Sequence, residues 1–185
     1  MACKTRLLHL VWIVALATMS IAAMAQDTLH HRDVSSCRHF AQDFYRWYVP
    51  LTQKRLNYPA SDIAIQRKAI VFDPALLRAL KVDSEAQQRY EGEIAGIDFD
   101  PFVGGQDPAD HYDVRKIEFK GDRCFVEVWR NSSNDNSWKP DKPDVIAELS
   151  KQTGHWQFKN FRYPDVNSDL ISVLAWWREA RSKQQ

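Results

Sequence analysis

The chain has 185 residues, with 25 lysines and arginines against 24 acids and 44% hydrophobic residues. That is one domain's length with enough apolar content for a real core. The near-neutral, interleaved charge excludes the basic surface that nucleic acid or an anionic membrane would call for.

Residues 1–25 read as a cleavable export signal. Lys4 and Arg6 form a basic start, Leu7 to Ala23 carries no charged side chain, and Ala23-Met24-Ala25 gives the small-x-small ending a signal peptidase accepts. The alternative is an uncleaved anchor. The run is about the minimum length for a span and contains His9, Thr18 and Ser20. Cleavage after Ala25 leaves 23 basic against 24 acidic residues and predicts a periplasmic or secreted protein. Cys3 precedes the apolar run, so it is not a lipid-attachment cysteine, and no later apolar stretch reaches spanning length.

Residues 26–34, polar and carrying His30 and His31, read as a flexible leader, and residues 35–185 as a single α+β domain. Ser35-Ser36 is the expected cap of a first helix. In it Cys37, Phe40, Ala41, Phe44, Trp47, Tyr48 and Leu51 recur at spacings of three and four, and Pro50 should end or bend it. Ser61-Asp62 opens a short second helix with Ile63, Ile65, Ala69 and Ile70 inward. Asp73-Pro74 caps a third that runs to about Ile94, with Leu76, Leu77, Leu80 and Tyr90 inward and Gly96 as its stop.

A turn-rich segment, Ile97 to Asp110, follows. Alternating stretches then predict an antiparallel meander. Its strands lie around Val114–Lys120, Cys124–Trp129, Val145–Leu149 and His155–Tyr163, with turns at Lys120-Gly121-Asp122 and Lys151–Gly154. Asn131 to Pro143 is a polar loop. Ser168 or Asp169 caps a closing helix with Leu170, Val173, Leu174 and Trp177 inward and Arg178, Arg181 and Lys183 in its last turns. Helices first, strands next and a terminal helix is an α+β order.

Two cysteines follow the signal. Cys37 and Cys124 in an oxidising compartment suggest one disulfide, to which the chain-entropy model assigns about 4–5 kcal/mol, with two buried free thiols as the alternative. No Cys/His spacing suits zinc, and there is no CxxC.

Three segments resemble a known family. Phe44-Tyr45-Arg46-Trp47-Tyr48, Asp98-Phe99-Asp100-Pro101-Phe102 before Gln106-Asp107, and Gly154-His155-Trp156-Gln157-Phe158 leading to Tyr163 are similar to a bacterial envelope family of unknown function. That family lies in the cone-shaped superfamily of nuclear transport factor, ketosteroid isomerase and polyketide cyclase. The resemblance covers about Ser35 to Trp177. It implies N-terminal helices packed on a curved antiparallel sheet and a periplasmic setting, with no catalytic set. It leaves open a homodimer through the sheet.

Asp98, Asp100, Asp107, Asp110 and Asp113 crowd one segment. Counted as an EF-hand loop from Asp98, the sixth position is Val103 and the twelfth Ala109, so the calcium pattern fails and no metal is expected. The plain reading is that these aspartates cap turns. An enzyme of the isomerase kind would draw a base from Asp100, Asp107, His111 or Tyr112 inside an apolar cavity. No Gly-x-Ser-x-Gly occurs, and no cofactor motif. The reading favoured by the sequence is a non-enzymatic binding protein of the envelope, immunity- or inhibitor-like or an accessory subunit. Its partner is a protein or a small apolar ligand, met by Phe99, Asp100, Phe102, Gln106, Asp107 and Trp138.

Overall fold

The computed structural model describes residues 31–89, 95–131 and 141–183. The chain divides into two compact units, Met1–Ser36 and Cys37–Gln185. In the first, residues 31–36 are helical, so the leader expected over 26–34 is helical where it is described. Ser35 and Ser36 lie within these helical residues rather than at a cap. The Ser36 hydroxyl donates back to the Asp33 carbonyl at 3.1 Å, as serines inside helices do. The expected export signal lies outside the described residues.

The second unit opens with helix α1, residues 37–52. Its buried residues Cys37, Ala41, Phe44, Tyr45, Tyr48 and Val49 follow the three-four spacing of one helical face, and it runs two residues past Pro50. Helix α2 is Ala60–Arg67. A 3-10 turn, Ala69–Val71, follows it. That change of winding turns Ile70 to solvent, where helical continuation would have placed it inward. Helix α3, Pro74–Arg89, starts as expected: Asp73 Oδ1 accepts the N–H of Ala75 at 2.9 Å and of Leu76 at 3.4 Å. The expected extension of α3 to Ile94 lies outside the described residues.

Five strands form one antiparallel meander in the order β1-β2-β3-β4-β5. They are β1 His111–Lys120, β2 Arg123–Asn131, β3 Val145–Gln152, β4 His155–Tyr163 and β5 Ser168–Asp169. The β1–β2 turn places Gly121 at φ +63°. The β3–β4 turn places Thr153 and Gly154 at +48° and +85°, the two positive angles of a tight hairpin. Register shifts in β1 between Val114 and Ile117, and at Glu148/Leu149, are bulges that bend the strands. Helix α4, Leu170–Ser182, is capped by Asp169, which accepts the Ser172 N–H.

The inner face of the sheet carries Val126, Val128, Ala147, Leu149, Phe158 and Phe161, all fully buried. Against it lies Phe44 of α1, whose ring centroid is 4.8 Å from Phe158, 5.4 Å from Tyr48 and 5.7 Å from Phe102. The Cys37–Cys124 disulfide ties α1 to β2 across 87 residues of chain. The outer sheet face is polar: the buried Glu148 carboxylate accepts from Arg123 and Arg162. No described helix is long and apolar enough to cross a membrane. The architecture is the expected α+β order of helices, antiparallel sheet and closing helix.

Candidate functional site

The turn-rich segment between α3 and β1 is held from beneath by tyrosines. Tyr48 donates its hydroxyl to Asp100 Oδ2 at 2.6 Å, Tyr45 to the Phe102 carbonyl at 2.9 Å, and Tyr163 to the Pro101 carbonyl at 2.9 Å. Asp100 Oδ1 accepts the N–H of Phe102 at 3.0 Å and of Val103 at 3.3 Å, the geometry of an Asx turn. Its backbone N–H reaches the Gly105 carbonyl, and Gly104 N–H reaches the Asp100 carbonyl. Gly104 sits at φ +77°, and a Cβ there would lie 2.9 Å from the Asp144 carbonyl oxygen. The motif Asp-Pro-Phe is therefore a plug whose backbone and carboxylate are consumed in fixing one turn.

Electrostatics follow from burial. Burial lifts the Asp100 carboxyl above its usual range, against the Tyr48 and backbone hydrogen bonds that pull it down. Burial, with the Asp100 charge behind it, raises the Tyr45, Tyr48 and Tyr163 hydroxyls well above 10. Tyr112 is raised to about 12, also chiefly by burial. All four phenols stay protonated at physiological pH; Tyr45, Tyr48 and Tyr163 donate, and the Tyr112 oxygen accepts the Ala109 N–H at 3.1 Å.

The structure separates the expected site residues. Phe102, expected on the contact surface, is 0% exposed, with its ring 5.1 Å from Phe72 and 5.0 Å from Phe161, so it packs in the core. Asp100 faces inward to Tyr48 rather than outward. Phe44, Tyr48, Phe158 and Tyr163 are likewise buried core. Phe99 is partly exposed, its ring set edge-on to Tyr163 at 5.1 Å. Gln106 and Asp107 are exposed on the outgoing arm of the turn, where Gln106 Nε2 donates to Asp98 Oδ2 at 3.3 Å. Trp138 lies outside the described residues. His111 is exposed at the start of β1, and no hydrogen bond joins it to Asp100.

Phe99, Asp100 and Gln106 share one open cleft of about 660 Å³ with residues that sequence reasoning missed. Asn57, Tyr58, Ser61 and Asp62 come from the segment entering α2, and Asp83, Ser84 and Gln87 from α3. Asp83 is 3% exposed and Arg181 of α4 is 9% exposed. Arg181 Nη1 donates to Asp83 Oδ1 at 2.7 Å and to the Ala95 carbonyl at 2.6 Å. Asp83 Oδ2 accepts the Ile97 N–H at 3.0 Å, and Gln87 Nε2 reaches the Ile97 carbonyl at 2.7 Å. A Cβ on Gly96 would lie 2.7 Å from Asp83 Oδ2 and 2.6 Å from Gln87 Cγ. The missing side chain at Gly96 lets the chain at 95–97 lie against α3. The hydrophobic spacing of α3 hints at none of this, because Asp83 is a polar residue on a buried face. Among the described residues, no group of three acids, histidines or cysteines is placed to hold a metal.

No family model and no curated protein matches the chain. Among solved structures, it is similar to a chain of the type VI effector-immunity complex Tae3-Tai3 from Ralstonia pickettii. That likeness covers 70% of this chain and 97% of the other, at 20% identity and a TM-score of 0.46. At that identity and score, it says nothing about what this chain binds.

Proposed function

We propose that this chain is an exported, non-enzymatic binding protein of the bacterial envelope. It would grip a partner protein with the exposed arm of the 98–108 turn and the cleft beside it. The observation that carries the reading is the fixing of that turn. Three buried phenols and an Asx turn hold residues 100–103 rigid, so Gln106 and Asp107 are presented on a preorganised edge at little entropic cost to binding. The Cys37–Cys124 disulfide supports an oxidising compartment, where such bonds persist. An immunity- or inhibitor-type role, blocking an incoming effector or a wall-active enzyme, is one form of this proposal; an accessory subunit is the other. The element order, helices and then a bent antiparallel sheet, supports the resemblance to the cone superfamily.

The test is affinity capture from envelope extract with the tagged processed protein, beside Gln106→Ala/Asp107→Ala. Both residues are exposed, so the variant keeps its fold. A stoichiometric partner lost in the variant is the expected result. The competing reading, a small enzyme with Asp100 as general base, has the raised carboxyl in its favour. Against it stand the three hydrogen bonds that already occupy both Asp100 oxygens.

A further inference from the structure

The cleft between α2, α3 and the 98–108 turn has a one-sided charge pattern. Asp62, Asp83, Asp98 and Asp100 line it, and among the described residues no lysine, arginine or histidine does. Two of the four are committed inside the fold, Asp83 to Arg181 and the Ile97 N–H, Asp100 to Tyr48 and its own turn. Asp62 is different. It is only 7% exposed, and its carboxylate takes no hydrogen bond and no ion pair among the described residues. Its oxygens are not among the buried unpartnered atoms of the described residues, so the carboxylate opens on the cleft, free to accept N–H donors from a cation that enters.

We propose that the cleft is a receptor for a guanidinium or ammonium group, with Asp62 as its counter-ion. The proposal rests on the partner-binding reading only for the source of that group, a basic side chain projecting from the partner; a free organic cation is the other source. Asp98, exposed at the rim, supplies a second carboxylate. Tyr58, 61% exposed, and Phe99 line the same cleft and offer ring faces on which a planar guanidinium stacks, so arginine is favoured over lysine. An organic cation is favoured over a metal ion, since the described residues bring together no three-ligand group. The low-dielectric walls concentrate the negative field at the mouth and draw a cation in.

Acetyl-arginine amide, acetyl-lysine amide and uncharged acetyl-citrulline amide are titrated at low salt into the isotope-labelled processed protein. The side-chain amide resonances of Asn57, Gln87 and Gln106 report on the cleft. Saturable shifts are expected with the arginine probe, weaker ones with lysine and none with citrulline. Asp62→Asn should weaken the arginine probe at least about tenfold, the loss of one charge-assisted contact. If Asp62→Asn does not fold, the contrast of arginine with citrulline in the unaltered protein decides alone, together with the fall of arginine binding on adding salt. Equal shifts from both probes, no shift up to probe solubility, or undiminished binding in folded Asp62→Asn would overturn the proposal. The two readings separate cleanly. A captured partner that binds Asp62→Asn as well as the unaltered protein sinks the cation site and leaves the partner reading. Probe binding with no captured partner supports the cation site with a free cation as its source and sinks the partner reading.

Discussion

Replacing Arg181 by methionine should be among the most damaging single changes outside the aromatic core. The substitution keeps the length and apolar stem of the side chain but leaves the Asp83 carboxylate, 3% exposed, facing an apolar neighbour. Breaking a buried pair from one side typically costs about 3–5 kcal/mol, because the remaining charge is neither solvated nor paired. The Ala95 carbonyl loses its donor as well. Asp83→Asn removes the charge but keeps an oxygen for the Ile97 N–H, so in the Arg181→Met background it should restore roughly half of the loss. Urea unfolding followed by tryptophan fluorescence, with the disulfide intact, reads all four corners of the cycle; the chain has seven tryptophans to report it. A cost below about 1 kcal/mol for Arg181→Met, or strictly additive single changes, would refute the claim that this pair fastens α4 to α3.

Other changes bear on separate parts of the structure. Phe102→Ala should cost about 3–5 kcal/mol in the same assay, since the ring is wholly enclosed; a cost near zero would return Phe102 to the surface. Cys37→Ala/Cys124→Ala should lower stability by about 4–5 kcal/mol for a bridge that closes a loop this long, and intact mass after alkylation should find neither cysteine free in the unaltered protein. Burial raises the Asp73 carboxyl, but Lys159 and the cap N–H groups outweigh it and hold it below the usual range. Its contribution is therefore full above about pH 5 and lost as pH falls through the lowered value, and Asp73→Asn should flatten that acid limb of the stability curve. The raised Tyr45, Tyr48 and Tyr163 hydroxyls act at the other end. Their contribution is full below about pH 10 and lost above it, so tyrosinate absorbance from these residues should appear together with unfolding rather than before it.

The periodic parts of the fold were legible in the sequence. One face of α1, the Asp73-Pro74 cap, both hairpin turns and the Asp169 cap are local signals, read from spacing and turn chemistry alone. The pairing of Cys37 with Cys124 was legible from their even number. The site was legible only in part. A turn-rich run of Asp, Pro and Gly announces a loop, but not which side chains it turns inward. Phe102 looks free beside Pro101 in sequence and is buried because three tyrosines distant along the chain pull the turn into the core. Asp62 and Asp83 look like ordinary helix polar residues. Their burial depends on how α2, α3 and the 95–97 strap meet, which no local pattern records.

Partner capture with the processed protein tests the central claim most directly, with Gln106→Ala/Asp107→Ala and a sheet-face variant, Glu127→Gln, run in parallel. The account predicts one stoichiometric envelope partner, retained by Glu127→Gln and lost by the loop variant. A partner held equally by the loop variant, or none at all with a well-folded bait, would contradict it.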